Sequence, residues 1–244
     1  MGQPQMEKLI EEIRKLGIEL NASMVEQFEL YYQVLIEWNK KFNLTAITDY
    51  QEVQIKHFLD SLTVTIALTK QELTKPGLSI MDIGTGAGFP GIPLKIMLPQ
   101  SRLVLLEATT KKVTFVRYAA QRLELENVEI VAGRAEEAAH LPLYRQQFDL
   151  VVSRAVASLS SLVELALPFC RTGGKFVAQK KGEGRQEIDR AIKAIDVLGG
   201  RLSRVKELEV EGLSDGRYLV IIDKIYTTPE KYPRRTGVPV RRPI

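Results

Sequence analysis

The chain has 244 residues, enough for one large domain or a domain with an appendage. Its 45% hydrophobic content supports a real core, and no run of about 18 apolar residues offers a membrane span. One cysteine and two histidines argue against a disulfide framework or a metal site, and the net charge of +4 permits a polyanionic partner without demonstrating one. The opening MGQPQMEKLIEEIRK lacks the apolar core of a secretory signal, so a cytoplasmic protein is expected.

Met6–Leu16 reads as a short amphipathic helix closed by Gly17. Ser23 and Glu26 make a capping-box pattern that predicts a second helix, running to about Lys40. Its apolar residues Val25, Phe28, Tyr31, Tyr32, Leu35 and Trp38 keep helical spacing. Asn43-Leu44-Thr45 reads as a break, and Asp49 with Glu52 opens a further helix or helix pair to about Thr69. Helical spacing there brings His57 beside Asp60 and Ser61, as a capped polar face or as a wall for a ligand. The domain expectation is a helical extension over residues 1–74 packed on a core over 75–226, with a tail over 227–244.

Leu78–Ile83 is an apolar run that ends in glycines, which suits a buried parallel strand. Gly84, Gly86 and Gly88 then allow torsions closed to other residues and close approach of a ligand to the main chain. Pro90–Leu98 reads as a helix, and Arg102–Leu106 as a second strand ending on Glu107, placed to bind ribose hydroxyls. The glycines fit two phases. Gly86-x-Gly88-x-x-Gly91 matches the dinucleotide fingerprint; Asp82-x-Gly84-x-Gly86-x-Gly88 matches the pattern of S-adenosylmethionine (SAM) enzymes. A carboxylate at Asp82 would repel a pyrophosphate but suits the ammonium and sulfonium of SAM, so the second phase is preferred.

Thr110–Leu125 is the next helix, with Lys111 and Lys112 at its start, and Ala108-Thr109 leads into it. Val128–Ala132 and Phe148–Val152 are strands three and four, the latter ending on Ser153-Arg154-Ala155. A helix over Leu159–Phe169, a strand over Lys175–Gln179 and a helix over Glu183–Leu198 follow. Leu202–Val210 and Arg217–Ile225 are joined without a helix and so predict an antiparallel hairpin. The expected fold is an α/β Rossmann-like sheet of seven mostly parallel strands with that hairpin last, flanked by helices. Lys180 and Lys181 end the fifth strand on the ligand-bearing edge, where they face phosphate or solvent. The tail Lys231–Ile244 carries five basic residues, no acids and three prolines. It reads as extended backbone, either a solvated end or a basic strap for a polyanion.

Several motifs together resemble the ribosomal small-subunit methyltransferase G family, also called glucose-inhibited division protein B. They are Asn43-Leu44-Thr45, His57-Phe58-Leu59-Asp60-Ser61, Asp82 through Gly91, Gly133-Arg134-Ala135-Glu136, Ser153-Arg154-Ala155, Tyr232-Pro233-Arg234 and Gly237-x-Pro239. The resemblance spans nearly the whole chain. It implies a class I methyltransferase fold, SAM as donor with S-adenosylhomocysteine as product, and transfer to N7 of a guanine in the decoding-region loop of 16S ribosomal RNA. Carried over, the SAM contacts are Gly84 and Phe89 on the methionine and ribose side, Glu107 at the ribose, Ala135 and Glu136 beside the adenine, and Arg154 where strand four opens into the pocket.

The chemistry agrees with that reading. Methyl transfer from SAM is an in-line displacement whose main demand is alignment. Cytosine C5 would need a covalent cysteine, and Cys170 sits at a helix end, away from the strand termini. Exocyclic amines typically use an Asn/Asp-Pro-Pro-aromatic turn, which Ser153-Arg154-Ala155 replaces. Guanine N7 already offers a lone pair and needs no base. Arg154, His57, Asp60 and Ser61 are therefore candidates for positioning the target rather than for bond-making. Lys111, Lys112, Lys180, Lys181, Arg234, Arg235, Arg241 and Arg242 are candidates for RNA contact, and no residue is expected to hold a metal. The expected partner is 16S rRNA or the small ribosomal subunit, with no membrane, and the expected state is a monomer. The alternatives left open are a SAM enzyme acting on another RNA or a small molecule, an NAD oxidoreductase, and a SAM-binding module without chemistry.

Overall fold

In the computed structural model, residues 6–154, 157–182, 184–213 and 216–244 are described. Ala155 and Glu183, named above, lie outside them. The N-terminal block starts with α1 (Glu7–Lys15) and α2 (Ala22–Phe42). The α2 cap is Asn21, whose side chain accepts from Met24 N at 2.9 Å, so the expected Ser23 box is two residues late. Asn43 ends α2 in the left-handed region at φ 48°. Asp49 caps α3 (Tyr50–Val53) by accepting from Gln51 N and Glu52 N, while Glu52 turns to Lys56 instead of closing a box. The reciprocal box lies at Thr69 and Glu72, opening α5 (Lys70–Leu73). Between α3 and α5 the chain stays helical through a π turn (Gln54–Leu59), α4 (Asp60–Leu62) and a 3₁₀ turn (Thr63–Ala67).

Alternating strands and helices then follow: β1 (Ser79–Ile83), α6 (Gly91–Met97), β2 (Arg102–Glu107), α7 (Thr110–Arg122), β3 (Val128–Ala132), α8 (Ala135–Ala138), β4 (Phe148–Arg154), α9 (Leu159–Ala166) and β5 (Cys170–Lys181). After α10 (Gly184–Val197), β6 (Gly200–Glu207) and β7 (Arg217–Lys224) close the sheet in the order β3-β2-β1-β4-β5-β7-β6. β7 runs antiparallel to both β5 and β6, as the missing crossover helix requires. β4 and β5 extend beyond the predicted ends, and Cys170, buried, begins β5. Against the expectation of extended backbone, Val238–Arg241 forms a helical turn, α11.

Strand alternation builds two cores. Ile80, Leu103, Leu105, Leu150, Val152, Val177 and Ile221 face the N-terminal helices and pack with Phe28, Tyr31 and Phe58. Met81, Val104, Val151, Phe176 and Val220 face α9 and α10. The same parity puts Asp82, Glu107, Arg154, Gln179 and Arg217 on the first face, under the helices that carry His57 and Asp60. No helix among the described residues is long and apolar enough to cross a membrane.

Candidate active site

The β1–α6 turn holds Gly84, Gly86 and Gly88 at φ +66°, +63° and +91°. Asp82 is fully buried, and its Oδ2 accepts from Thr85 Oγ1 at 2.6 Å and Gly91 N at 2.8 Å. Its side chain points between β1 and α6, so it clamps the turn from behind. That corrects the expectation of a carboxylate facing a cationic ligand. Burial pushes its carboxyl up to about 7, against the pull of the two hydrogen bonds. Gly88 is likewise a packing glycine, since a Cβ there would sit 2.5 Å from Ile92 Cδ1 and 2.6 Å from the Tyr31 hydroxyl. Tyr31 OH donates to Ala87 O at 2.5 Å and ties α2 to the turn.

Gly86 differs: a Cβ there would meet only Gly84 O, 3.9 Å away. It borders a cavity of about 460 Å³ at the carboxyl ends of the strands. Gly84, Phe89, Ala108, Thr109, Ala135 and Glu136 line that cavity. Glu107 stands in the wall, its Oε2 accepting from Gly86 N at 2.9 Å and its Oε1 from Thr109 N at 2.8 Å. The carboxylate therefore shapes the turn and presents negative charge to the cavity. Glu136 Oε1 accepts from Gly237 N at 2.8 Å, so the C-terminal tail reaches the same wall.

A second cavity of about 540 Å³ adjoins the first, and both are lined by His57 and Arg154. The His57 ring stacks on Phe89 at 4.6 Å and 21°, and the Arg154 guanidinium lies 4.8 Å from the same ring centre. Thr45 Oγ1 accepts from Ile47 N at 3.0 Å and shares a hydrogen bond with His57 Nε2 at 2.8 Å. Nδ1 lies 3.1 Å from Lys56 O and 3.4 Å from Arg154 Nη2. Burial, then the Arg154 charge, lowers His57 to about 3, so the ring is neutral and a very weak base. Asp60 is 2% exposed, and its Oδ2 pairs with Arg154 Nη1 at 3.0 Å and Arg217 Nη1 at 2.6 Å.

Ser61 does not join them: it is fully buried and its hydroxyl donates back to His57 O at 2.6 Å. The two cavities thus bring together His57, Asp60 and Arg154 from the predicted set. Lys112 lines the first cavity, while Lys111 donates to Phe42 O at 3.2 Å. Lys180 and Lys181 line the second, Lys180 pairing with Glu187 at 2.7 Å. Arg235, Arg241 and Arg242 are exposed. Arg234 is committed elsewhere: it grips fully buried Glu164 with Nη2 to Oε2 at 2.6 Å and Nε to Oε1 at 2.9 Å. His140 Nε2 donates to Pro233 O at 2.8 Å, a tail anchor rather than plain surface. Tyr31, Gln179, Arg217 and Glu164 went unnoticed in the sequence as site residues. Strand parity carries a signal for Gln179 and Arg217; the other two have none within their own neighbourhoods.

Comparison with known proteins agrees with this geometry. Residues 24–214 match the family described as rRNA small subunit methyltransferase G. A ribosomal RNA small subunit methyltransferase G from Dehalococcoides mccartyi (strain CBDB1) is 49% identical over 239 residues, covering 98% of this chain and 100% of its own. Its counterpart from Pelotomaculum thermopropionicum is 48% identical over 238 residues, covering 98% of each chain. Among solved structures, a SAM dependent methyltransferase from Aquifex aeolicus superposes with a TM-score of 0.54 at 16% identity, covering 71% of this chain and 93% of its own. Fibrillarin from Aeropyrum pernix with natively bound SAM gives 0.51 at 14% identity, covering 67% and 73%. At those identities the structural matches speak for the fold alone.

Proposed function

Because the chain belongs to the rRNA small subunit methyltransferase G family, we propose that it methylates N7 of one guanine in the decoding-region loop of bacterial 16S rRNA. The cofactor is SAM, which supplies an activated methyl carbon to a nucleophile. The first cavity suits it. Gly86 leaves open the space a Cβ would fill, Glu107 offers a carboxylate to hydroxyls, and Phe89 offers an aromatic face. Ala135 and Glu136 would flank the adenine, with Ala108 and Thr109 beside the ribose.

One observation carries the choice of N7: among the described residues, the junction of the two cavities holds no group set up as a general base. Asp60 is committed to two arginines, and His57 is held neutral with its basicity suppressed. An amine or hydroxyl target would have to lose a proton there; N7 attacks with a lone pair it already has. Arg154 and His57 position the base, and Lys180, Lys181 and the exposed arginines of the tail meet the phosphates. A monomer acting in the cytoplasm, where bacterial 16S rRNA is found, completes the proposal.

The test is to incubate the purified protein with labelled SAM and unmethylated small subunits or their RNA. The RNA is then digested and its nucleosides separated. Label in 7-methylguanosine is expected. Label in any other nucleoside, or none, would overturn the reading.

A further inference from the structure

Gln179 lies two residues before the end of β5, beside the second cavity and opposite Arg154 in the β4–β5 register. It is 4% exposed, and its amide orientation is determined by its neighbours. Nε2 lies 2.5 Å from Asp60 O and 3.4 Å from Thr63 Oγ1. Thr63 already donates its own hydrogen to Asp60 O at 2.6 Å, so both atoms face Gln179 as acceptors. A flipped amide would press two carbonyl oxygens together. The oxygen Oε1 therefore points away from them, and it has no hydrogen-bond partner among the described residues. A buried acceptor without a donor is uncommon in folded proteins and calls for an explanation.

The cavity around it is short of acceptors. Arg154, Arg217, Lys180 and Lys56 contribute cations, and Asp60 contributes the one carboxylate among its described lining residues. A guanine that turns N7 toward the cofactor cavity turns its opposite edge away from it. That edge carries two kinds of donor, N1–H and the 2-amino group. We propose that Gln179 Oε1, closed off in the unliganded protein, is uncovered as the target base enters, accepts a hydrogen bond from this edge and selects guanine over other purines. The proposal rests on guanine-N7 transfer as the reaction.

Chemistry favours an acceptor at this place. Methylation at N7 puts positive charge on the base, which strengthens N1–H and the 2-amino group as donors. The bond to Oε1 is then stronger in the transition state than in the ground state, so it raises turnover as well as binding. Adenine offers an acceptor at N1 and no 2-amino group, and would leave Oε1 unpaired.

The experiment uses the full chain and small subunits reconstituted with guanine, inosine or 2-aminopurine at the target position. Inosine lacks the 2-amino group, and 2-aminopurine lacks N1–H. Wild type should disfavour the analogue missing the bonded hydrogen by roughly 10- to 100-fold in kcat/KM. Gln179→Met, similar in size and without hydrogen bonds, should narrow that gap to a few-fold. Its SAM affinity is measured in parallel to show an intact cofactor cavity. Equal rates of wild type on guanine and both analogues would overturn the proposal without any variant. A Gln179→Met enzyme that slows equally on all three bases would also overturn it, since Gln179 would then only support Asp60. Absence of 7-methylguanosine from wild type on guanine would instead defeat the N7 reading.

Discussion

Arg234→Ala tests whether the basic tail belongs to the folded body or to the RNA. Glu164 has no exposed surface, while the Arg234 side chain is 30% exposed. The pair is bidentate, and Arg234 N adds a bond to Glu164 Oε1 at 2.8 Å. Removing one partner of a fully buried ion pair costs about 3–5 kcal/mol. Here water reaches the arginine side, and the alanine variant keeps the backbone N–H, so about 2–3 kcal/mol is expected. In a chain of this length that lowers the melting temperature by about 4–12 °C. Scanning calorimetry measures it, and adding Glu164→Gln should recover part of the loss by removing the stranded charge. A guanidinium already paired with a carboxylate releases no counterion when RNA binds, so the salt slope of RNA affinity should stay at the wild-type value. A melting temperature within about 2 °C of wild type, together with a flatter salt slope, would refute this account and return Arg234 to the RNA.

Gly86→Val should abolish SAM binding in calorimetry while circular dichroism stays native, because the added side chain enters the cavity and a β-branched residue strains the turn at φ +63°; wild-type affinity would refute the site. Arg154→Ala should lower turnover at saturating RNA by roughly tenfold or more while RNA affinity changes little, the pattern of a group that acts in the transition state. Unchanged turnover with weakened RNA binding would remove it from the target site. His57, lowered from 6.5 to about 3, binds fewer protons folded than unfolded across that window. Stability should therefore fall as pH drops from neutrality, by up to about 1.4 kcal/mol per pH unit, and His57→Gln should fall less steeply. Identical urea midpoints against pH for the two proteins would show that His57 is not held neutral.

The turn from β1 to α6 was legible in the chain because its causes are local. Glycines at alternate positions need left-handed torsions, an apolar run precedes them, and an acid ends the next strand, all within about thirty residues. The missing helix between β6 and β7 was enough to make the last pair antiparallel. Asp82 stood out in the chain, but its direction did not: only the packing of α6 on β1 decides that its carboxylate faces Gly91 instead of a ligand.

The junction of the two cavities was beyond reach for a different reason. Asp60 meets Arg154 across 94 residues of sequence and Gln179 meets Asp60 across 119. Both contacts follow from which strand ends the sheet order makes neighbours, and from the π turn that orients His57 over Phe89. The tail shows the same division. Its charges and prolines were plain in the sequence, but the buried carboxylate that takes Arg234 lies 70 residues away on α9. Local sequence sets torsions and periodicity. Which charges are paired, and which are left for a ligand, was decided by the tertiary packing, because pairing depends on distances that only the closed sheet creates.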